Sequence, residues 1–377
     1  MGLVLRLPKD ECGADEVCRF VLEKTRGERA LGAQSNSGYS GAAALMLPKN
    51  VTVPAVIVWG DSIVDPGNNN VVNTVVKCNF EPYGMDYNGG EPTGRFSNGR
   101  VPSDLIADEL GIKKILPAYL DPNLQTEDLL TGVSFGSGGS GYDPLTPKIV
   151  NVLSLSDQIE LFKEYKSKID AAVGVERRNI IVSKGIHIVC IGSDDIANTY
   201  LSTPFRSPHY DIPAYTDLLA SSASKIFQAL YGQGARKIGV VGIPAIGCVP
   251  SQRTLSGDIK RGCSAKANRA ASLFNTKLIA LLDSLNKKLP EAKFVYFDIY
   301  NPLVSLIQNP SKYGFEVVNK GCCGTGNIEV RILCTRFSLG TCSDPSKYIF
   351  WDSYHPTEKA YETLVPMAFD KEIHKLF

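Results

Sequence analysis

The stretch Val53-Pro54-Ala55-Val56-Ile57-Val58-Trp59-Gly60-Asp61-Ser62 decides how this chain is read. An apolar run that ends in glycine reads as a buried strand entering a tight turn. Parallel α/β sheets gather their ligands outside the carboxyl ends of such strands. Ser62 is the first hydroxyl past this strand, which makes it a candidate nucleophile. A serine nucleophile needs a base and a set of oxyanion donors, and the rest of the chain must supply both.

Four further apolar runs read as strands: Thr131–Phe135, Gly185–Ile191, Lys237–Ile243 and Lys293–Ile299. Helical patterns separate them. Pro102-Ser103-Asp104 opens a helix that Gly111 closes. Ser156-Asp157 caps the next, and Ile159, Phe162 and Ile169 follow at helical spacing. Pro213–Tyr231, Ser264–Lys288 and Pro356–Leu376 complete the set. Strands alternating with helices predict one parallel sheet covered on both faces, an α/β fold spanning residues 51–377 without linker or repeat. Two long turn-rich segments, residues 65–100 and 309–348, interrupt the alternation and read as rims or lids of a site.

The chain has 377 residues, 44% hydrophobic and 21% charged, ample for a large core. Forty Lys and Arg balance 39 Asp and Glu. The net charge of +1, without a basic stripe, argues against nucleic acid as a partner. No run approaches the roughly 20 apolar residues of a transmembrane helix. Residues 1–50 are polar and Gly/Ser-containing, show no apolar signal-peptide core, and read as a poorly ordered N-terminal extension. Of ten cysteines, Cys322, Cys323, Cys334 and Cys342 crowd one segment and Cys248 and Cys263 another. With no CxxC knuckle and no histidine among them, disulfides in an oxidising compartment are expected rather than zinc. The sequon Asn50-Val51-Thr52 agrees with secretion.

Only four histidines are available to Ser62. His187 alternates within an apolar strand and reads as a core residue. His209 lies in a Pro-flanked loop and His374 in a helix tail. His355 stands in Trp351-Asp352-Ser353-Tyr354-His355-Pro356, where a carboxylate three residues earlier can orient the imidazole from one loop. Asp352 would then accept from Nδ1–H and leave Nε2 to take the Ser62 proton. The elbow G-x-S-x-G of the α/β-hydrolases is absent. Oxyanion donors are sought at two other strand ends, Gly136-Ser137-Gly138-Gly139-Ser140-Gly141 and Gly192-Ser193-Asp194-Asp195. The glycine run lacks the lysine of a P-loop and the pattern of a dinucleotide site, so no nucleotide, cofactor or metal is implied.

Ordered blocks carry a resemblance. They are Gly60-Asp61-Ser62-Ile63-Val64-Asp65 with Asn68–Asn70, Thr93–Arg100, Gly132–Phe135 with the glycine run, Gly242–Pro250, Lys320–Gly326 and Phe350–Thr357. Over residues 51–377 the chain resembles the plant GDSL esterase/lipase family of SGNH hydrolases, in particular its extracellular-lipase branch. The resemblance implies a flavodoxin-like three-layer α/β/α sandwich with a five-stranded parallel sheet. It implies a serine esterase or lipase acting on acyl or lipid esters through an acyl-enzyme, and a secreted protein. Ser62, Asp352 and His355 fall on the family's triad. The Ser62 backbone N–H and Gly138 fall on its oxyanion hole, with Gly139 the near alternative.

One position departs. Where the family carries Gly-x-Asn-Asp, this chain has Asp194, and an ionised aspartate only accepts hydrogen bonds. Losing one such donor costs on the order of 10²–10³ in rate. Either burial keeps Asp194 protonated, or the side chain points away and Asp195 caps a turn, or hydrolysis is weak. An acyltransferase using the same acyl-enzyme and a weakly active lipid-binding homologue are the alternative functions.

Overall fold

A computed structural model of the chain describes residues 45, 47, 48, 51–326, 328, 329, 334, 335 and 340–377. Of the expected N-terminal extension, only Leu45, Leu47 and Pro48 are among them, and the sequon's Asn50 lies outside.

Four parallel strands form the central sheet: β1 (Val56–Gly60), β2 (Ile186–Cys190), β3 (Lys237–Val241) and β4 (Lys293–Phe297), in the order β1-β2-β3-β4. Their registers are regular, Val56 opposite Ile186, Ile186 opposite Lys237 and Lys237 opposite Lys293. The helices α1 (Pro102–Glu109), α2 (Leu155–Lys184), α3 (Ile212–Gly232), α4 (Ala265–Lys288), α5 (Tyr300–Gln308) and α6 (Glu358–Phe369) connect and cover them.

The alternation inside each strand sorts the two cores. Ile57 and Trp59 of β1 point with Val189, Val240 and Phe294 into a core shared with α2, α3 and α4. Val56 and Val58 point with Ile188 and Phe297 into a second core, closed by α1 and α6, where Leu45 is also buried. Helix, sheet and helix thus make the three layers of an α/β/α sandwich.

The expected fifth strand is shorter than the sequence suggested. Residues 126–131 of that region form a helical turn, and Gly132 breaks it at φ +104°. Only the residues after Gly132 run beside β1, where Val58 donates to Val133 O (3.0 Å) and Phe135 donates to Val58 O (2.8 Å). Ser134 forms an isolated parallel bridge to Val58 instead of a full strand. The fold class stands, with four strands and one bridged edge segment in place of five strands. A small parallel pair joins β5 (Val317–Gly321), inside the segment read as irregular, to β6 (Tyr348–Phe350) at its end.

Two helix ends also differ from the sequence reading. The cap of α2 is Ser154, whose hydroxyl accepts from Asp157 N–H while Asp157 accepts from Ser154 N–H. That reciprocal pair outcompetes Ser156 as the helix start. At the other end of the chain, Thr357 caps α6 at residue 360 N–H, and a separate 3₁₀ turn, Ile373–Leu376, follows it.

Candidate active site

Ser62 opens a 3₁₀ turn directly after β1. Gly60 sits at φ +149°, so close to β2 that a Cβ there would collide with the Cys190 carbonyl. Its own amide and carbonyl are clamped by Gln158, which accepts from Gly60 N–H (3.0 Å) and donates to Gly60 O (2.9 Å). Asp61 then caps the turn by accepting from Ile63 N–H. These contacts fix the backbone that aims Ser62.

His355 Nε2 lies 2.8 Å from Ser62 Oγ. On its other side Nδ1 lies 2.8 Å from Asp352 Oδ2 and 3.0 Å from Oδ1. Asp352 Oδ1 also accepts the N–H groups of Tyr354 (2.8 Å) and His355 (2.7 Å), a turn that the D-x-x-H spacing creates by itself. All three side chains are more than nine-tenths buried. The Phe96 ring packs 5.2 Å from the imidazole. Ser62 and His355, 293 residues apart in the chain, are therefore brought with Asp352 into one hydrogen-bond line. His187 is a core residue, as expected: Nε2 meets Val182 O at 2.9 Å, and burial pushes its pKa down to about 4.

The Gly138 expectation needs correction. Its N–H is donated to Asp65 Oδ2 at 3.0 Å, so its one proton is already engaged. Gly139, at φ +90°, lines the cavity beside Ser62 instead. The glycine loop is held from the Asn run: Asn69 Nδ2 donates to Gly138 O, Asn68 Nδ2 to Ser134 O and Gly136 O, and Ser137 Oγ to Asn69 Oδ1.

Asp194 does face the site. It lines the same cavity as Ser62 and His355. Asn198 Nδ2 donates to its Oδ1 at 2.5 Å, and Tyr354 OH donates to Asn198 Oδ1 at 3.0 Å. Burial pushes the Asp194 carboxyl up to about 6, against the lowering pull of His355 and of the Asn198 amide. Asp195 caps no turn of its own. It reaches across to the loop after the glycine run and accepts from Tyr142 N–H, Asp143 N–H and Thr146 Oγ1–H.

A cavity of about 340 Å³ opens at Ser62 and His355. It extends between the carboxyl edge of the sheet and the second core, along Ile106, Val241, Val365 and Phe369. Among the described residues, three disulfides form: Cys322–Cys342 and Cys323–Cys334 staple the rim segment 309–348, and Cys248–Cys263 closes the loop before α4, while Cys78 and Cys190 are free thiols. Among the described residues no cluster of His, Cys, Asp and Glu could hold a metal ion. No helix among them is long and apolar enough to cross a membrane.

A serine, a histidine and an aspartate in hydrogen-bond line at the carboxyl edge of a parallel sheet is the geometry of a serine hydrolase. The profile of the GDSL-like Lipase/Acylhydrolase family matches residues 56–365, and the chain belongs to that family. It is 56% identical over 332 residues to the GDSL esterase/lipase EXL3 of Arabidopsis thaliana, covering 88% of this chain and 91% of that one. To the GDSL esterase/lipase At5g42170 of the same plant it is 51% identical over 359 residues, 94% and 96% of the two chains. Among solved structures it is similar to an extracellular lipase from Streptomyces rimosus, at 12% identity and a TM-score of 0.37, over 84% of this chain and 100% of that one. The protein is a carboxylic ester hydrolase of the GDSL esterase/lipase type.

The sequence reading missed Tyr83, Asp65, Asn198 and Gln158, which hold or line the site. Asp65 and the Asn run stood within the block that carries the resemblance, yet nothing in their local pattern says which backbone they bind.

Proposed function

We propose that the protein hydrolyses lipid acyl esters through an acyl-enzyme on Ser62. The observation that carries this reading is the hydrogen-bond line from Ser62 Oγ through His355 to Asp352. In it, His355 Nε2 takes the Ser62 proton as the hydroxyl oxygen attacks the ester carbonyl. Asp352 holds Nδ1–H and stabilises the imidazolium. The Ser62 and Gly139 N–H groups receive the oxyanion. The imidazolium then protonates the departing alcohol, and a water molecule activated by His355 releases the acid.

Two features support the finer terms. The apolar cavity that begins at Ser62 suits an alkyl chain better than a sugar or a charged group. The three disulfides suit a secreted protein.

The test is turnover of p-nitrophenyl acyl esters from acetate to palmitate. We expect kcat/KM to rise at least tenfold from acetate to a medium-chain ester, since each buried methylene contributes about 0.8 kcal/mol. A profile that falls steadily from acetate would overturn the lipid reading. Product analysis with competing alcohols separates hydrolysis from transfer: free acid is the product expected, and predominant new ester would count against it.

A further inference from the structure

We propose that Tyr83 is a positioning residue for the reaction, acting through Asp352; the inference rests on the triad reading above. Tyr83 OH donates to Asp352 Oδ2 at 2.7 Å, the same oxygen that meets His355 Nδ1. Among the described residues, the other hydrogen-bond donors to this carboxylate, Tyr354 N–H, His355 N–H and His355 Nδ1–H, come from its own loop. Tyr83 approaches from 269 residues away.

The phenol is itself held. Its oxygen accepts Cys334 N–H at 3.0 Å, so its proton is left to point at Asp352. Cys334 is bonded to Cys323, and Cys323 N–H donates to Trp351 O at 2.7 Å, next to Asp352 in the chain. The Tyr83 ring is fully buried, edge-on to Phe80 at 5.6 Å and to Trp351 at 6.2 Å. Burial and the adjacent carboxylate push the phenol well above its usual pKa, which keeps it a donor at working pH.

A donor on Oδ2 does two things. It fixes the carboxylate rotation, so that Oδ2 stays in line with Nδ1–H. It also takes up part of the charge on Oδ2, which tempers the pull of Asp352 on the imidazolium. The other titratable groups facing this pair are Cys78 and Tyr361 beside Asp352, and Asp194 and Tyr354 beside His355. Among the described residues, the titratable side chains hydrogen-bonded to Asp352 are Tyr83 and His355.

The experiment is Tyr83→Phe, which removes one oxygen and keeps the packed ring, assayed over pH 5–9 on a p-nitrophenyl ester. We expect kcat to fall about tenfold with KM within about twofold, because a charge-assisted hydrogen bond is lost. The acid limb of kcat/KM should move up by about half a pH unit, because Oδ2 then presents its full charge to the imidazolium. In an Asp352→Asn background the same change should have no further effect. The low-field imidazole proton resonance of His355 should shift in the single variant as a second readout. An unmoved acid limb and unmoved resonance, or an equal further loss in the Asp352→Asn background, would overturn the inference. Full activity of Asp352→Asn alone would overturn the triad reading instead.

Discussion

Asp194 is the side chain that separates this site from the family pattern. Burial pushes its carboxyl up to about 6, so it has a proton to donate below that pH and only accepts above it. The Asn198 amide already serves Oδ1, so an asparagine at 194 could keep that partner and turn its own NH₂ toward the cavity. Asp194→Asn should therefore raise kcat/KM at pH 8 by at least about tenfold, with a smaller gain at pH 5. Parallel pH–rate profiles for the two proteins would mean that the side chain does not meet the oxyanion. In the glycine run, the direction of the Gly138 N–H is set by Asp65, 73 residues away, a pairing that no local pattern reveals.

Elements were legible where the information was local. The apolar run of β1, the glycine that ends it and the D-x-x-H turn each carry their geometry within a few residues, and each was legible as local structure. The segment Thr131–Phe135 was not, because Gly132 divides an apolar pattern between a helical turn and a short edge bridge. The segment from 65 to 100 has no periodicity to read, and its order comes from buried polar side chains. Arg95 is the clearest of these. It forms a two-pronged pair with Asp104 of α1, Nε and Nη2 each at 2.8 Å, and both residues are buried. Asp104 also accepts from Val101 N–H and Leu116 N–H. Removing one partner leaves a buried charge uncompensated, so Arg95→Met should destabilise the fold by about 3–5 kcal/mol. Urea unfolding of the variant checks this, and a loss below about 1 kcal/mol would show that the pair does not anchor the loop.

The carboxyl edge of the sheet concentrates acid. Asp61, Asp65, Asp194 and Asp195 are gathered there, and burial raises each of them, Asp65 to about 6 and Asp195 to about 8. A carboxyl whose folded pKa lies above its unfolded value holds its proton more tightly when folded. Its stabilising effect is complete below about pH 4 and is lost as pH rises through the folded value. Over pH 5–8 these groups should lower Tm by at least about 3 °C, measurable by calorimetry. A Tm that stays level or climbs over that range would contradict the assignment.

The central claim is that the chain's ester hydrolysis passes through a covalent ester on Ser62. Rapid acid quench of the enzyme during turnover of a p-nitrophenyl acyl ester, followed by peptide mass spectrometry, tests it most directly. The acyl mass should appear on the peptide that contains Ser62, and Ser62→Ala should lose both that adduct and the release of p-nitrophenol. Undiminished release by Ser62→Ala, with no acyl mass on the wild-type peptide, would contradict the account.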